Sequence, residues 1–163
     1  MLTLGALIIQ SQEDQKTGKM PILNYTTQID SYKTITEIQQ ILAKGGAKKM
    51  IVDNDDNGLP IALTFCVEWH GSPLAFALPC NFEGVLKAMK KSSKVPRSLC
   101  TNEQALRVGW RIVKDWVAAQ LAIVEAQLAD VAEVFLPYAV TKSGTTLYKH
   151  IQTDSRLLLS APN

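Results

Sequence analysis

Cys66, Glu68 and His70 set a nucleophile, an acid and a base at a spacing of two residues. In an extended strand that spacing sends all three side chains from one face. A thiol is activated by a neighbouring base, and metal sites draw on the same residue types, so this row is the first place to look for chemistry. Side chains that run parallel along one strand seldom converge on a substrate atom, and the only other histidine, His150, sits in no recognisable motif. The row therefore reads as the outward face of a half-buried strand.

The stretch Asp53-x-Asp55-x-Asn57-Gly58 matches the opening of a calcium loop, but its twelfth position is Thr64 where a bidentate glutamate is needed, and strand-like patterns flank it. It reads as a polar hairpin turn in which Asn57-Gly58 accepts positive φ. The sequence holds no P-loop, no G-x-G-x-x-G, no G-x-S-x-G and no H-E-x-x-H. The expectation is a protein that is not an enzyme and needs neither metal nor cofactor.

Charge carries the stronger signal. From Ile51 to Phe82 there are four acids and no Lys or Arg, whereas from Glu83 to Lys114 eight bases meet two acids, a net of +6. From Asp115 to Phe135 four acids meet no base. A helix dipole favours acids at its start and bases at its end, so Arg107, Arg111 and Lys114 in the first half of a long helix run against it. An anionic partner explains that layout: the helix start and the basic connector before it would converge on phosphates. The contact set expected on this reading is Lys90, Lys91, Lys94, Arg97, Arg107 and Arg111. The bland alternative is a solvated face with an Arg111–Asp115 pair one helical turn apart.

The elements that must position these residues follow from periodicity. Ile22 to Asp30, rich in Tyr, Thr and Ile, reads as a first strand. Thr34 and Glu37 form a capping box that opens a helix buried through Ile35, Ile38, Ile41 and Leu42 and stopped by Gly45-Gly46. Lys48 to Val52 is a short strand. Ile61, Leu63, Phe65, Val67 and Trp69 alternate along its return partner, and Leu74, Phe76 and Leu78 mark a third strand after the His70–Pro73 turn. Asn81 caps a short helix carrying Phe82, Val85, Leu86 and Met89 on one side.

After the connector Lys90–Ser98, Thr101 and Gln104 open the longest element, about 30 residues without proline. One stripe runs through Leu106, Trp110, Val113, Val117, Leu121, Val124 and Leu128, and Val108, Ile112, Trp116 and Ile123 form a second. So wide an apolar arc requires cover on two sides, by the sheet and by another element or subunit. Pro137 bends the path, and residues 145–151 are a strand or a short helix. The expected fold is α+β: a small antiparallel sheet in the order strand, helix, three-stranded meander, helix, packed against a long C-terminal helix as a two-layer sandwich.

At 163 residues, with 47% hydrophobic and 20% charged residues, the chain suits one domain over 20–152, preceded by a poorly patterned extension over 1–19 and followed by a tail over 153–163. A net charge of +2 excludes a wholly basic nucleic-acid coat but permits a local basic patch. The apolar run Met1–Gln10 lacks the positive flank and cleavage site of a signal peptide, and no stretch has the length of a membrane span. Three widely spaced cysteines suggest a reducing cytoplasm.

The stretches NYTTQID, KTITEIQQILAKGGAKK, FALPCN, WRIVKDWVAAQLA and VFLPYAV, spread from Asn24 to Val140, resemble a family of small proteins encoded by bacteriophages, prophages and other bacterial mobile elements, one with no assigned activity. The resemblance implies a setting inside the bacterial host cell and a role concerned with nucleic acid or with phage and host conflict. Between Thr34 and Lys91 the element order is also similar to that of double-stranded-RNA-binding domains. Those place a basic motif at the start of their last helix, where this chain has Asn81-Phe82-Glu83.

The function expected is therefore non-enzymatic binding of nucleic acid or another phosphate-rich ligand, with no membrane partner. The alternative is a protein-interaction module, an inhibitor or a homo-oligomer, that uses the second apolar face of the long helix. Sequestration of a small nucleotide shares the anion site but requires a closed pocket.

Overall fold

The computed structural model describes residues 20–154, 156 and 158. The expected extension over 1–19 and most of the expected tail lie outside the described residues.

Ile22 to Asp30 is not a strand. Asn24 turns the backbone through a positive φ of 63°, and the carbonyls of Tyr25 and Thr27 accept hydrogen bonds from the Gln104 side-chain amide at 2.9 and 2.7 Å. β-propensity measures fit to a pleated surface, and here a side chain distant in sequence takes the acceptors that a neighbouring strand would use. The segment ends on Asp30, whose carboxylate accepts from the N–H groups of Tyr32 and Lys33 and so starts helix α1, Ser31–Lys44, one turn earlier than the capping box predicts. Thr34 is buried within that first turn, its hydroxyl donating to the Asp30 carbonyl. At the other end Gly46, with φ of 97°, turns the chain out as expected.

Three strands follow: β1 Lys49–Asn54, β2 Pro60–Trp69 and β3 Ser72–Pro79, antiparallel in that order. His70 and Gly71 both adopt positive φ between the paired residues Trp69 and Ser72, which makes the second hairpin a two-residue turn of the type that matches strand twist. The first hairpin is wider than the two-residue turn expected. Only Gly58 is left-handed there, and the Asp55 carboxylate organises the loop by accepting from the N–H groups of Asn57 and Leu59.

The inner face of the sheet carries Leu63, Phe65, Val67, Phe76 and Leu78, all buried as the alternation predicts, whereas Ile61 and Leu74 of the same rows are half-buried and Trp69, at the hairpin end, is 45% exposed. The inner face packs against Ile35, Ile38 and Leu42 of α1 and against Leu106, Trp110 and Val117 of helix α3, Asn102–Glu125. The fold is α+β with a three-stranded antiparallel meander. Trp110 is wholly buried, and its indole N–H donates to the Pro60 carbonyl at 3.0 Å.

Helix α2, Phe82–Lys91, is capped by Asn81 as expected. Its Val85, Leu86 and Met89 pack with Val95 on Val108 and Ile112, so the second stripe of α3 is covered by its own chain. Farther along that stripe Trp116 meets Phe135 and Tyr138 edge-on, with ring centroids 5.4 and 5.2 Å apart. The face expected to await a partner is largely occupied.

α3 is also shorter than the proline-free run suggests. Gln127 is left-handed at φ of 59°, its N–H bonds back to Val124 and that of Leu128 to Ile123, so a Schellman motif closes the helix without glycine. Leu128 is left exposed.

Asp130 then caps the short helix α4, Val131–Phe135, and Leu136–Tyr138 forms a 3-10 turn at the bend expected of Pro137. Ala139 bridges to Phe76 and Val140 N–H donates to the Ala75 carbonyl, which covers the open side of β3. Thr146 caps the last helix, α5, Leu147–Thr153, so this ambiguous segment is helical. No helix among the described residues is long and apolar enough to cross a membrane.

Candidate polyanion interface

The amphipathic pattern of α2 decides which of its side chains meet water. Phe82, Val85, Leu86 and Met89 turn inward, which leaves Glu83, Lys87, Lys90 and Lys91 on the outer side. A shallow depression of about 440 Å³ is lined by these four and Leu86. Lys90 and Lys91 stand in the last turn, where unsatisfied carbonyls favour cations. Arg97 folds back, donating from Nη1 to the Lys90 carbonyl at 2.8 Å, so the connector is tied to the helix end while its guanidinium stays exposed. Lys94 is exposed between them.

Arg107 and Arg111 do not join this group. Arg111 binds Glu37 of α1 at 2.6 Å with its side chain only 15% exposed, and Arg107 binds Glu103 at 2.6 Å one turn before it. Gly109 and Ile112, in contrast, face α2, with Gly109 against Cys80 and Val85. The two arginines therefore lie on the α1 side of α3, and the expected convergence of helix start and connector is not seen. Their place against the helix dipole has a local cause, since each is matched by a carboxylate. The Arg111–Asp115 pair of the bland alternative does not form either: Asp115 accepts from Asn24 at 2.9 Å and lies 3.6 Å from Lys114.

Lys87 belongs to the patch and is absent from the set expected from the sequence. Its signal was available, because positions 87, 90 and 91 share a helix face at spacings of three and four. It is counted among the eight bases of Glu83–Lys114, but an expected convergence of the connector with the start of the long helix leaves it out.

The chain matches no family model, no curated protein and no solved structure.

The residues of the strand row are engaged separately. Glu68 is bound to Lys48 at 3.1 Å, and the His70 ring packs on Trp69 with centroids 4.3 Å apart. Asp55 of the calcium-like loop is engaged by the loop's own N–H groups.

Among the thiols the divergence is in burial. Cys80 is 4% exposed, and burial pushes its thiol up to about 12, whereas Cys66 and Cys100 are half-buried. Thiolate is the form that reacts, so alkylation of the native protein at neutral pH should label Cys66 and Cys100 and reach Cys80 only on unfolding. Mass spectrometry of adducts with and without denaturant measures this. Labelling of Cys80 at equal rates in both would contradict the packing around it.

Proposed function

We propose that this chain is a non-enzymatic binding protein of phage or mobile-element type, working in the cytoplasm of a bacterial host, that holds a polyanion on the outer face of α2 and the connector after it. Nucleic acid is the polyanion best suited. The observation that supports this is the row Lys87, Lys90 and Lys91: all three are exposed, and they make no ion pair among the described residues. Lys94 and Arg97 extend the row. Arg107 and Arg111 serve the fold instead, joined to Glu103 and Glu37.

Contacts of this kind go to phosphates, which gives affinity with little sequence discrimination. Each neutralised phosphate contributes about −0.9 to the slope of log K against log salt on duplex DNA, so four contacts cost about a hundredfold in affinity between about 50 and 200 mM salt. An electrophoretic shift with mixed DNA and RNA at those two concentrations tests the reading. The native protein is expected to bind and to lose binding with salt. The triple variant Lys87→Glu, Lys90→Glu, Lys91→Glu should not bind even in dilute buffer, while Arg107→Gln should bind as the native chain does. Absence of a native shift at low salt, or a triple variant that binds normally, would overturn the proposal.

A further inference from the structure

Among the described residues, strand β1 is the uncovered edge of the sheet. Its partner on one side is β2, the opposite sheet edge is occupied by Ala139 and Val140, and among the described residues no strand pairs with the other side of β1. The regular part of β1 runs from Lys49 to Asp53, because the register shifts between Asp53 and Asn54. Ile51 lies at its centre and is 62% exposed. Lys49 and Asp53, two residues to either side, share the face of Ile51, are exposed, and enter no ion pair among the described residues.

We propose that β1 is a homodimerisation edge that pairs antiparallel with β1 of a second copy about a two-fold axis at Ile51. In that register Ile51 opposes Ile51 of the second copy. Lys49 opposes Asp53 of the second copy, and Asp53 opposes Lys49 of the second copy, so both cross-strand pairs carry opposite charges. On the other face Met50 opposes Val52 of the second copy. Both residues are half-buried at the rim of the core, so the apolar layer continues from one molecule into the next.

Charged side chains guard an edge strand against pairing, and against an identical strand they do so where the register sets like charges opposite one another. Here the charges are of opposite sign and symmetric about an exposed isoleucine, so an antiparallel copy is attracted. The contact is isologous and the other sheet edge is covered, so assembly stops at two chains. The proposal stands apart from the polyanion reading and uses none of its residues.

Sedimentation equilibrium over a range of protein concentrations tests it, with native chain, Lys49→Glu, Asp53→Lys and an equimolar mixture of the two variants. All substitutions are at exposed positions, and circular dichroism checks that each variant folds. The native chain should show a monomer–dimer equilibrium. Each variant alone sets like charges opposite one another and should dimerise at least tenfold more weakly. Their mixture restores opposite charges at both pairs and should recover dimer as a heterodimer. A native chain that stays monomeric throughout, variants that dimerise like the native chain, or a mixture that fails to recover dimer would each overturn the proposal.

Discussion

Replacement of Trp110 by alanine should lower folding stability by about 3–5 kcal/mol, the usual cost of emptying a large aromatic site in a core. Trp110 is 0% exposed and sits where α3 crosses the inner face of the sheet. Its indole N–H also satisfies the carbonyl of buried Pro60. Leaving a buried acceptor without a partner adds about 1–3 kcal/mol unless water reaches it. Whole domains of this size are stable by about 5–15 kcal/mol, so the variant should be close to unfolding at room temperature. Trp110→Phe separates the two effects, since it keeps most of the volume and loses the donor. Urea titration with an unchanged m-value is the measurement. A shift below about 1 kcal/mol for the alanine variant would show that this residue does not anchor the layer.

Gly109 should also resist substitution, for the opposite reason. In most helices Gly→Ala gains about 1 kcal/mol in propensity. At this position a Cβ would lie 2.8 Å from Cys80 Sγ and 3.5 Å from a Val85 methyl, where α3 presses on the end of the sheet and the start of α2. Overpacking of a filled interior costs about 1–3 kcal/mol, which outweighs the propensity gain, and Gly109→Val should cost more than Gly109→Ala. The decisive measurement is a double-mutant cycle with Cys80→Ala, which removes the sulfur the new methyl meets. The double variant should be more stable than the sum of the two single changes requires. Strict additivity would mean that the helix shifts to accept the methyl and that the close approach to Cys80 is not constraining.

What was legible in the sequence was whatever depends on near neighbours. Alternation along Ile61–Trp69 announced β2 and its buried face, and Asn81 and Thr101 announced the starts of α2 and α3, because a period of two and a cap are properties of a few consecutive residues. The misreadings share one physical origin. Ile22–Asp30 has the composition of a strand, but its carbonyls are taken by Gln104, 77 and 79 residues later. Thr101 and Gln104 predict a reciprocal capping box, yet only the Thr101 half forms, with its hydroxyl accepting from the Gln104 N–H, while the Gln104 amide reaches the earlier segment.

The candidate site divides in the same way. That Arg107 and Arg111 are cationic and one turn apart is plain from their spacing. That Arg111 meets a carboxylate 74 residues earlier, on α1, is a matter of helix packing that no local pattern records. The exposed lysines of α2 follow from helical periodicity, and Lys87 is left out of the expected set because that set is centred on the connector and the start of the long helix. The pattern of Lys48–Val52 predicts β1 as a strand, but that it is the edge left uncovered among the described residues follows from where Ala139 and Val140 return, far downstream.

Phe135 completes the aromatic cluster of the inner sheet face, with its ring centroid 5.3 Å from that of Phe65 and 6.1 Å from that of Phe76, and it is wholly buried. It is supplied by a short helix that follows all three strands and the long helix in the order of synthesis. A nascent chain therefore holds every hairpin of its sheet before it holds the ring that seals them. Until that ring is made, the stacked phenylalanines of β2 and β3 lack the edge-on partner that covers them in the folded chain, and transiently exposed apolar surface of this kind is what unfinished chains misassemble through.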